Sequence, residues 1–245
     1  MAVQKALGVG LCLVTWSWAG ALPPRHPETA DTAQTWLQHF PIEGQELATV
    51  GENPYFILKP GYQLTLEGKD AKKRERLVVT VLDDTLALGG VETRVVEERE
   101  TSGDDVVEVS RNYFAISRRT GDVYYFGEDV DMYKHGKIAG HEGSWRHGAN
   151  GARFGLMMPG KPTVGMRYYQ EQAKGVAMDR AEIVSLTERL TTPGGTFEHC
   201  LKTRETTPLE MFSREYKLYA SGVGLIKDGS LDLVSHKYAQ GGPAR

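Results

Sequence analysis

Cysteine is almost absent from this chain of 245 residues, which contains only Cys12 and Cys200. Cys12 lies in an apolar N-terminal stretch that has the pattern of a cleaved leader, so the mature chain would keep Cys200 alone. A single thiol cannot form an internal disulfide, even in a compartment that favours oxidation. The fold must therefore be held by its hydrophobic core, and roughly 220 residues are ample for one core.

Long apolar runs and an excess of one charge are also lacking. No segment after the N-terminal stretch approaches the ~18 apolar residues of a membrane-spanning helix. Lysine and arginine number 29 against 32 aspartates and glutamates, which gives a net charge of -3. Such a balance argues against nucleic acid and against an anionic membrane surface as partners. The sequence predicts neither a nucleic-acid partner nor a transmembrane segment, and it leaves the oligomeric state open.

The N-terminus has the pattern of a secretory signal. Lys5 precedes an apolar run that ends at Trp18, and small residues at 19–21 fit a signal-peptidase site. We interpret residues 1–21 as a signal peptide and predict export to the periplasm or the extracellular space. The polar, proline-containing residues 22–52 are interpreted as a tether or a short helix that Asp31 would cap.

The rest of the chain lacks the 3.6-residue apolar repeat and the capping residues that are typical of helices. Apolar and polar residues alternate there instead. About ten strands are expected, and the clearest are Leu77–Leu82, Glu92–Glu100, Val106–Ser117, Asp122–Phe126, Met166–Gln172, Val176–Leu190, Thr196–Thr206, Phe212–Ala220, Gly224–Lys227 and Leu231–His236. Short turns rich in glycine and aspartate separate many of them, and Asp228-Gly229 is the clearest hairpin signal.

These strands predict an all-β fold. Parallel strands need crossover connections, usually helices, and none is expected here. Because an antiparallel meander of about ten strands curls, we expect an open or closed barrel or a sandwich. The β-sheet domain would span residues 53–237, with a long loop region near 127–160 and a C-terminal tail at 238–245.

Four blocks of sequence carry a resemblance. They are VYYFGED at 123–129, GSW at 143–145, GGTFEHCLKT at 194–203 and YKLYASGVGL at 216–225. Over residues 53–237 the chain resembles a group of uncharacterised exported bacterial β-sheet proteins with FGED, GSW, GTFxxC and YxxGVG blocks. The resemblance implies a sheet-rich bacterial protein and brings no activity with it.

Three carboxylates are close together at Glu128, Asp129 and Asp131. Clustered oxygens suit calcium, and His141 and His147, which follow in a glycine-containing stretch, would suit a transition metal. The spacing matches neither an EF-hand loop nor the histidine pair of a zinc protease. One hypothesis is therefore a metal-binding protein or metal-dependent enzyme centred on an acidic loop at 128–131, and its alternative is a solvated acidic turn.

Aromatic side chains recur along the predicted sheet and suggest a cavity. Small barrels can hold one ligand against such walls. The candidate ligand-binding residues are Tyr125, Trp145, Tyr169, Tyr216 and His199. Alternation places His199 on one face with Leu201 and Glu205. The favoured hypothesis is an exported barrel-like protein that binds an apolar or amphipathic small ligand, and the alternatives are an aromatic core without a ligand and an envelope component that pairs through an edge strand.

Nucleophilic catalysis has little support in the sequence. Ser144 lacks the G-x-S-x-G elbow that exposes a catalytic serine. Cys200 follows His199, but adjacent strand residues project to opposite faces and cannot pair. Whether the protein catalyses a reaction, and with which cofactor, stays open at this level.

Overall fold

The computed structural model of the protein describes residues 35–44, 46–70 and 73–238, with the backbone alone at Asp70. The predicted signal peptide, the first part of the predicted tether and the tail after Tyr238 lie outside the described residues. Within these ranges the chain forms strands and turns, and no helix there is long and apolar enough to cross a membrane.

Eighteen strands account for most of the described chain. They are β1 (Leu47–Ala48), β2 (Gly51–Asn53), β3 (Phe56–Leu58), β4 (Tyr62–Asp70), β5 (Lys73–Leu88), β6 (Val91–Ser102), β7 (Asp105–Ser117), β8 (Val123–Lys134), β9 (Lys137–Gly140), β10 (Trp145–Arg146), β11 (Arg153–Met158), β12 (Arg167–Tyr169), β13 (Glu171–Gln172), β14 (Arg180–Thr192), β15 (Gly195–Thr207), β16 (Glu210–Ala220), β17 (Gly224–Asp228) and β18 (Leu231–Tyr238). The longest strands coincide with the alternating segments of the sequence.

Sixteen strands form one antiparallel sheet that nearly closes into a barrel. Along its main path the order is β12-β14-β15-β16-β17-β18-β4-β5-β6-β7-β8-β11-β13. The two end strands, β12 and β13, are separated in the chain by Gln170 alone. The sheet therefore returns to its own beginning, and the predicted all-β antiparallel fold is confirmed.

Tight turns set the register of this meander, as their residues predict. Leu88 pairs with Val91 across Gly89 and Gly90, which have φ values of 57° and 83°. Two successive positive φ angles give the turn whose twist matches that of the flanking strands. Asp228 pairs with Leu231, and Gly229 between them has φ 52°.

A separate ribbon of β2 and β3 is docked onto the barrel. The buried Asn53 side chain donates from Nδ2 to the carbonyl oxygens of Gly121 at 2.8 Å and Pro159 at 3.0 Å. The amide of Gly222 donates to the carbonyl of Pro54 at 2.7 Å. These bonds satisfy buried polar groups, so they hold the ribbon in one position against the barrel.

The N-terminal segment corrects the prediction of a tether or short helix. Leu37 bridges Tyr168 in parallel fashion, with its amide donating to Arg167 and its carbonyl accepting from Tyr169. These backbone groups therefore pair with the edge of β12 instead of forming a helix. Within the predicted tether, β1 also pairs with β7. The fold thus begins well before residue 53.

The predicted loop region near 127–160 is mostly sheet. β8 continues to Lys134, and β9, β10 and β11 all pair with it. On β7, Tyr113 pairs with Gly127 of β8, and the next residue, Phe114, pairs with Tyr125. Phe126 of β8 is therefore an extra residue in a β-bulge. The bulge interrupts the alternation of period two, which is why the sequence pattern seemed to end there.

The barrel seam depends on a glycine in β11. A Cβ atom at Gly155 would lie 2.4 Å from the carbonyl carbon and oxygen of Gln170. We expect Gly155→Ala to lower the free energy of unfolding by about 3 kcal/mol, because the backbone must shift to relieve the overlap. Urea denaturation measures this loss.

Gly90→Ala is the matched control for the seam variant. Its Cβ would meet no atom within 4 Å, although φ is 83°. We expect it to cost about 1 kcal/mol through backbone conformation alone. Equal losses in the two variants would contradict a tightly closed seam.

Candidate functional site

A cavity lies inside the barrel, and one side of it is apolar. The residues of this side come from β4, β5 and the ribbon, namely Phe56, Ile57, Tyr62, Leu64, Val79 and Val81. The space open to the centres of water-sized molecules is about 100 Å³. Each water needs roughly 10–15 Å³ by this measure, so the cavity has room for about seven to ten of them. It suits a molecule of similar size.

A row of aromatic rings stiffens the cavity wall. Phe56 contacts Phe114 edge to face at 5.0 Å between centroids, and Phe114 stacks on Tyr125 at 4.8 Å. The Tyr125 hydroxyl donates to Oδ1 of Asn112 at 2.5 Å. Burial raises the pKa of Tyr125 well above its ordinary value, with Glu128 adding to the shift. Tyr125 is therefore a neutral and fixed part of the wall.

The other side of the cavity is strongly acidic. Its charged residues, from six different parts of the barrel, are Glu98, Glu171, Asp179, Glu205, Asp228 and Lys217. Among the described lining residues, five carboxylates thus face one ammonium group. Buried charges are costly unless they are paired, so the state of these groups decides what the cavity can bind.

Lys217 joins two of the carboxylates. Its Nζ lies 3.3 Å from Oδ2 of Asp228 and 3.4 Å from Oε2 of Glu205. Burial would lower the pKa of Lys217, but the two carboxylates outweigh it and raise that pKa well above its ordinary value. Glu205 also accepts hydrogen bonds at Oε1 from Gln170 and Thr203, each at 3.3 Å. Lys217 is therefore charged and is paired with two carboxylates.

Three other carboxyl groups nearby feel the charge of Lys217 but form no ion pair with it. Burial raises the pKa of Glu98 to about 7, opposed by Lys217 and aided by Glu128. Burial and the neighbouring Glu98 raise the pKa of Glu100 to about 8. Burial likewise raises the pKa of Glu215 to about 7. Since like charges in a poorly solvated space cannot all ionise, the cluster holds protons near neutral pH.

A smaller cavity continues the acidic side of the first. The two cavities share Asp179 and Glu205, and the second extends along the β15–β16 hairpin to Glu210 and Glu215. Its other lining residues are Thr206, Thr207 and Ser213, so every described residue that lines it is polar or acidic. A charged molecule would meet acceptors along this whole path.

The aromatic residues predicted to bind a ligand are dispersed. Tyr125 lines the cavity, and Trp145 packs behind it with ring centroids 5.2 Å apart. Tyr169 is buried against Trp36 and does not line the cavity. Tyr216 is 39% exposed, and the ammonium of Lys202 lies 5.0 Å from its ring centroid. Tyr169 and Tyr216 are thus removed from the candidate wall.

His199 also lies away from the cavity. It is exposed and has φ 52°, within a stretch where the pairing of β14 with β15 shifts register. The irregularity breaks the alternation that predicted a face shared with Leu201 and Glu205. Leu201 and Glu205 point inward as expected, whereas the expectation for His199 is wrong.

The acidic residues 128–131 lie on β8 and not on a loop. Asp129 accepts from Nε of Arg146 at 2.9 Å and from the Tyr113 hydroxyl at 2.7 Å. Asp131 accepts from Arg111 at 2.8 Å, and Nδ1 of His141 lies 3.0 Å from it. Glu128 is buried on the opposite face. Neighbouring arginines therefore already occupy the two aspartates.

The predicted metal ligands do not assemble into one cluster. His147 packs edge to face on Phe126 and Phe154, and its Nδ1 accepts from the Phe154 amide at 3.4 Å. Within the described ranges, no group of three or more histidine, cysteine, aspartate or glutamate side chains is placed to hold a metal ion. A calcium or transition-metal site centred on 128–131 thus has no geometric support.

The acidic side of the cavity was largely missed by sequence reasoning. Alternation placed Glu205 on the face of the candidate ligand-binding residue His199, but Glu98, Lys217 and Asp228 were not identified. Lys217 had a signal of phase, because it is two residues from the buried Tyr219 and next to the exposed Tyr216. Alternation alone could not select Glu98, since Val95 and Val96 are both buried and Glu97 is two residues from Val95.

Comparison with models of protein families, with curated proteins and with solved structures finds no match to this chain. The function must therefore follow from the chemistry of the cavity.

Proposed function

We propose that this protein is an exported bacterial binding protein that holds a small amphipathic molecule noncovalently inside its barrel. The observation that carries the proposal is an interior cavity that has both an aromatic and aliphatic side and an acidic side. Ligand sites commonly combine a mostly apolar lining with a few convergent polar groups. The ligand would be periplasmic or extracellular, in keeping with the N-terminal sequence.

The size of the cavity limits the ligand. A space for about seven to ten waters accommodates on the order of ten non-hydrogen atoms, which excludes a long lipid chain. The apolar side would bury the body of such a molecule, and each buried CH₂ contributes about 0.8 kcal/mol. A preformed wall, fixed by the row from Phe56 to Tyr125, adds affinity because little order is lost on binding.

The metal-binding alternative receives no comparable support. Its aspartates are engaged by Arg111 and Arg146, and its histidines lie in different surroundings. A hard cation would have to displace two arginines before it gained its ligands. We therefore favour the small molecule.

Filling the apolar side should block binding. We expect Val79→Phe to weaken binding of 2-phenylethanol, a neutral amphipathic probe, by about tenfold or more, because the new ring would occupy the space of the ligand. Isothermal titration calorimetry at about millimolar probe, the range expected for so few atoms, measures the change.

Val164→Phe supplies the control, since Val164 is 62% exposed and lies outside the cavity lining. It should leave the affinity for 2-phenylethanol unchanged. Native mass spectrometry and solvent extraction of protein purified from the exported fraction would identify a retained molecule. Equal binding by both variants would place the probe elsewhere and refute the proposed site.

A further inference from the structure

The cavity has more hydrogen-bond acceptors and negative charge than its own residues can satisfy. Lys217 is the only described cation among its lining residues, and it is shared by Glu205 and Asp228. Asp179 and Glu98 line the same space and form no ion pair within the described part of the chain, and Glu171 adds a further carboxylate. A carboxylate accepts and never donates when ionised. The acidic side of the cavity therefore suits a ligand group that is positively charged and donates hydrogen bonds.

Asp228 supplies the most specific observation. Its side chain is only 7% exposed, and Oδ2 faces Lys217 at 3.3 Å. Its other oxygen, Oδ1, is buried and has no hydrogen-bond partner among the described residues. Leaving a buried acceptor unpaired is costly, more so when the group is charged. A donor that enters the cavity beside Asp228 would remove that cost.

The smaller cavity extends the same chemistry along the β15–β16 hairpin. Asp179, Glu205, Glu210 and Glu215 line it, and no described lysine or arginine does. Clefts lined by one sign of charge concentrate oppositely charged molecules and speed their association. An anion would be repelled along this path, whereas a cation would be drawn toward the acidic side.

We infer that the ligand carries a protonated amino group, which binds among Asp228, Glu98 and Glu205 while its apolar body lies against Phe56, Tyr62 and Val79. The inference rests on the proposed function and narrows its ligand to small primary amines with an aromatic or aliphatic body. The ammonium group offers three N–H donors, which match several carboxylate oxygens at once.

Binding of such a cation is coupled to protons. Glu98 faces Glu128 of β8, Glu205 of β15, Lys217 of β16 and Asp228 of β17, and it lies beside Glu100 on β6. Near neutral pH part of this cluster is protonated, with Glu98 at a pKa of about 7. An ammonium ion favours the ionised form, so amine affinity should rise from about pH 6 to about pH 8 while the amine itself stays protonated.

Three probes with one apolar body test the charge. They are 2-phenylethylamine, 2-phenylethanol and phenylacetate, titrated calorimetrically into the full-length mature protein. At about pH 8 we expect the amine to bind about tenfold or more tightly than the alcohol, and the acetate to bind least, as charge-assisted hydrogen bonds predict. The amine alone should gain affinity as the pH rises.

Two carboxylate variants locate the amino group. Glu98→Gln and Asp228→Asn should each weaken binding of the amine by about tenfold and leave binding of the alcohol within about twofold. Glu97→Gln is the matched control, because Glu97 is next to Glu98 on β6 but lines neither cavity, as alternation of strand side chains predicts. It should leave all three affinities unchanged. If Asp228→Asn fails to fold, Glu98→Gln alone still tests whether the amino group binds among these carboxylates.

The outcomes separate the inference from the proposed function. Equal affinity for amine and alcohol, both lost in Val79→Phe, would overturn the cationic ligand and retain the amphipathic site. Tighter binding of phenylacetate than of the amine would also overturn the cationic ligand. So would an affinity for the amine that Glu98→Gln and Asp228→Asn leave unchanged. If none of the probes binds, both the inference and the proposed site as drawn are refuted.

Discussion

Lys217→Met should lower the free energy of unfolding by about 3–5 kcal/mol at about pH 7.5, the loss expected when one partner of a buried ion pair is removed. Methionine fills a similar volume but leaves Glu205 and Asp228 without their shared cation. These side chains are 13% and 7% exposed, so water cannot replace the lost ammonium. The measurement is urea denaturation followed by circular dichroism.

The loss should shrink toward lower pH, because burial raises the pKa of Glu205 and this carboxylate can then be neutralised by protonation. Lys227→Met is the matched control on the neighbouring β17, since Lys227 pairs with Asp232 at 2.8 Å in a partly exposed position. That pair should contribute about 1 kcal/mol or less. Equal losses of unfolding free energy in the two variants would show that Lys217, Glu205 and Asp228 do not form a buried cluster of ionised groups.

The sequence predicted most of the sheet because turn chemistry and alternation agree there. Gly89-Gly90 and Asp228-Gly229 enforce tight reversals, and the intervening strands present one face to the interior. Barrel closure was less visible, because the ends of the sheet meet through Gln170 and through the tight approach at Gly155. The two end strands, β12 and β13, have only three and two residues, which is too few to show an alternating pattern.

The segment at 123–134 misled the prediction for a specific reason. Glycine and three carboxylates are typical of a loop, yet Arg111 and Arg146 neutralise the two aspartates on the outer face of β8. Gly127 is required because a Cβ there would lie 2.8 Å from the carbonyl oxygen of Trp145 on β10. The residues therefore serve strand pairing, which local propensity could not indicate.

The acidic cavity was hidden by two stronger local signals. Asp228 precedes Gly229, so it was interpreted only as a turn residue, although its side chain points inward to Lys217. Glu98 and Glu100 lie in a charge-rich strand that resembles a solvated face. Their burial depends on β15, β16 and β17, which follow about a hundred residues later in the chain. Tyr125, by contrast, stood out because it lies in the short apolar and aromatic run at 123–126.

The same carboxyl groups determine how stability should depend on pH. A carboxyl group whose pKa is raised on folding holds a proton that the unfolded chain releases. The ordinary value is 4.5, and the pKa is about 7 for Glu98 and Glu215 and about 8 for Glu100. Their contribution is therefore favourable below about pH 4.5 and is progressively lost as the pH rises toward about pH 8.

We expect the free energy of unfolding to fall from about pH 5 to about pH 8, with a slope of up to about 1.4 kcal/mol per pH unit for each such group. Glu98→Gln should flatten the curve and raise stability at about pH 8 by on the order of 2 kcal/mol, because a neutral amide replaces a poorly solvated carboxylate. Glu97→Gln changes a carboxyl group that lines neither cavity, so it should keep the original slope. Urea denaturation across this window measures both, and a stability that rises with pH in the unaltered protein would refute the protonated cluster.

A saturating amine should reduce the slope as Glu98→Gln does, since the ammonium stabilises the ionised carboxylates in the folded state alone.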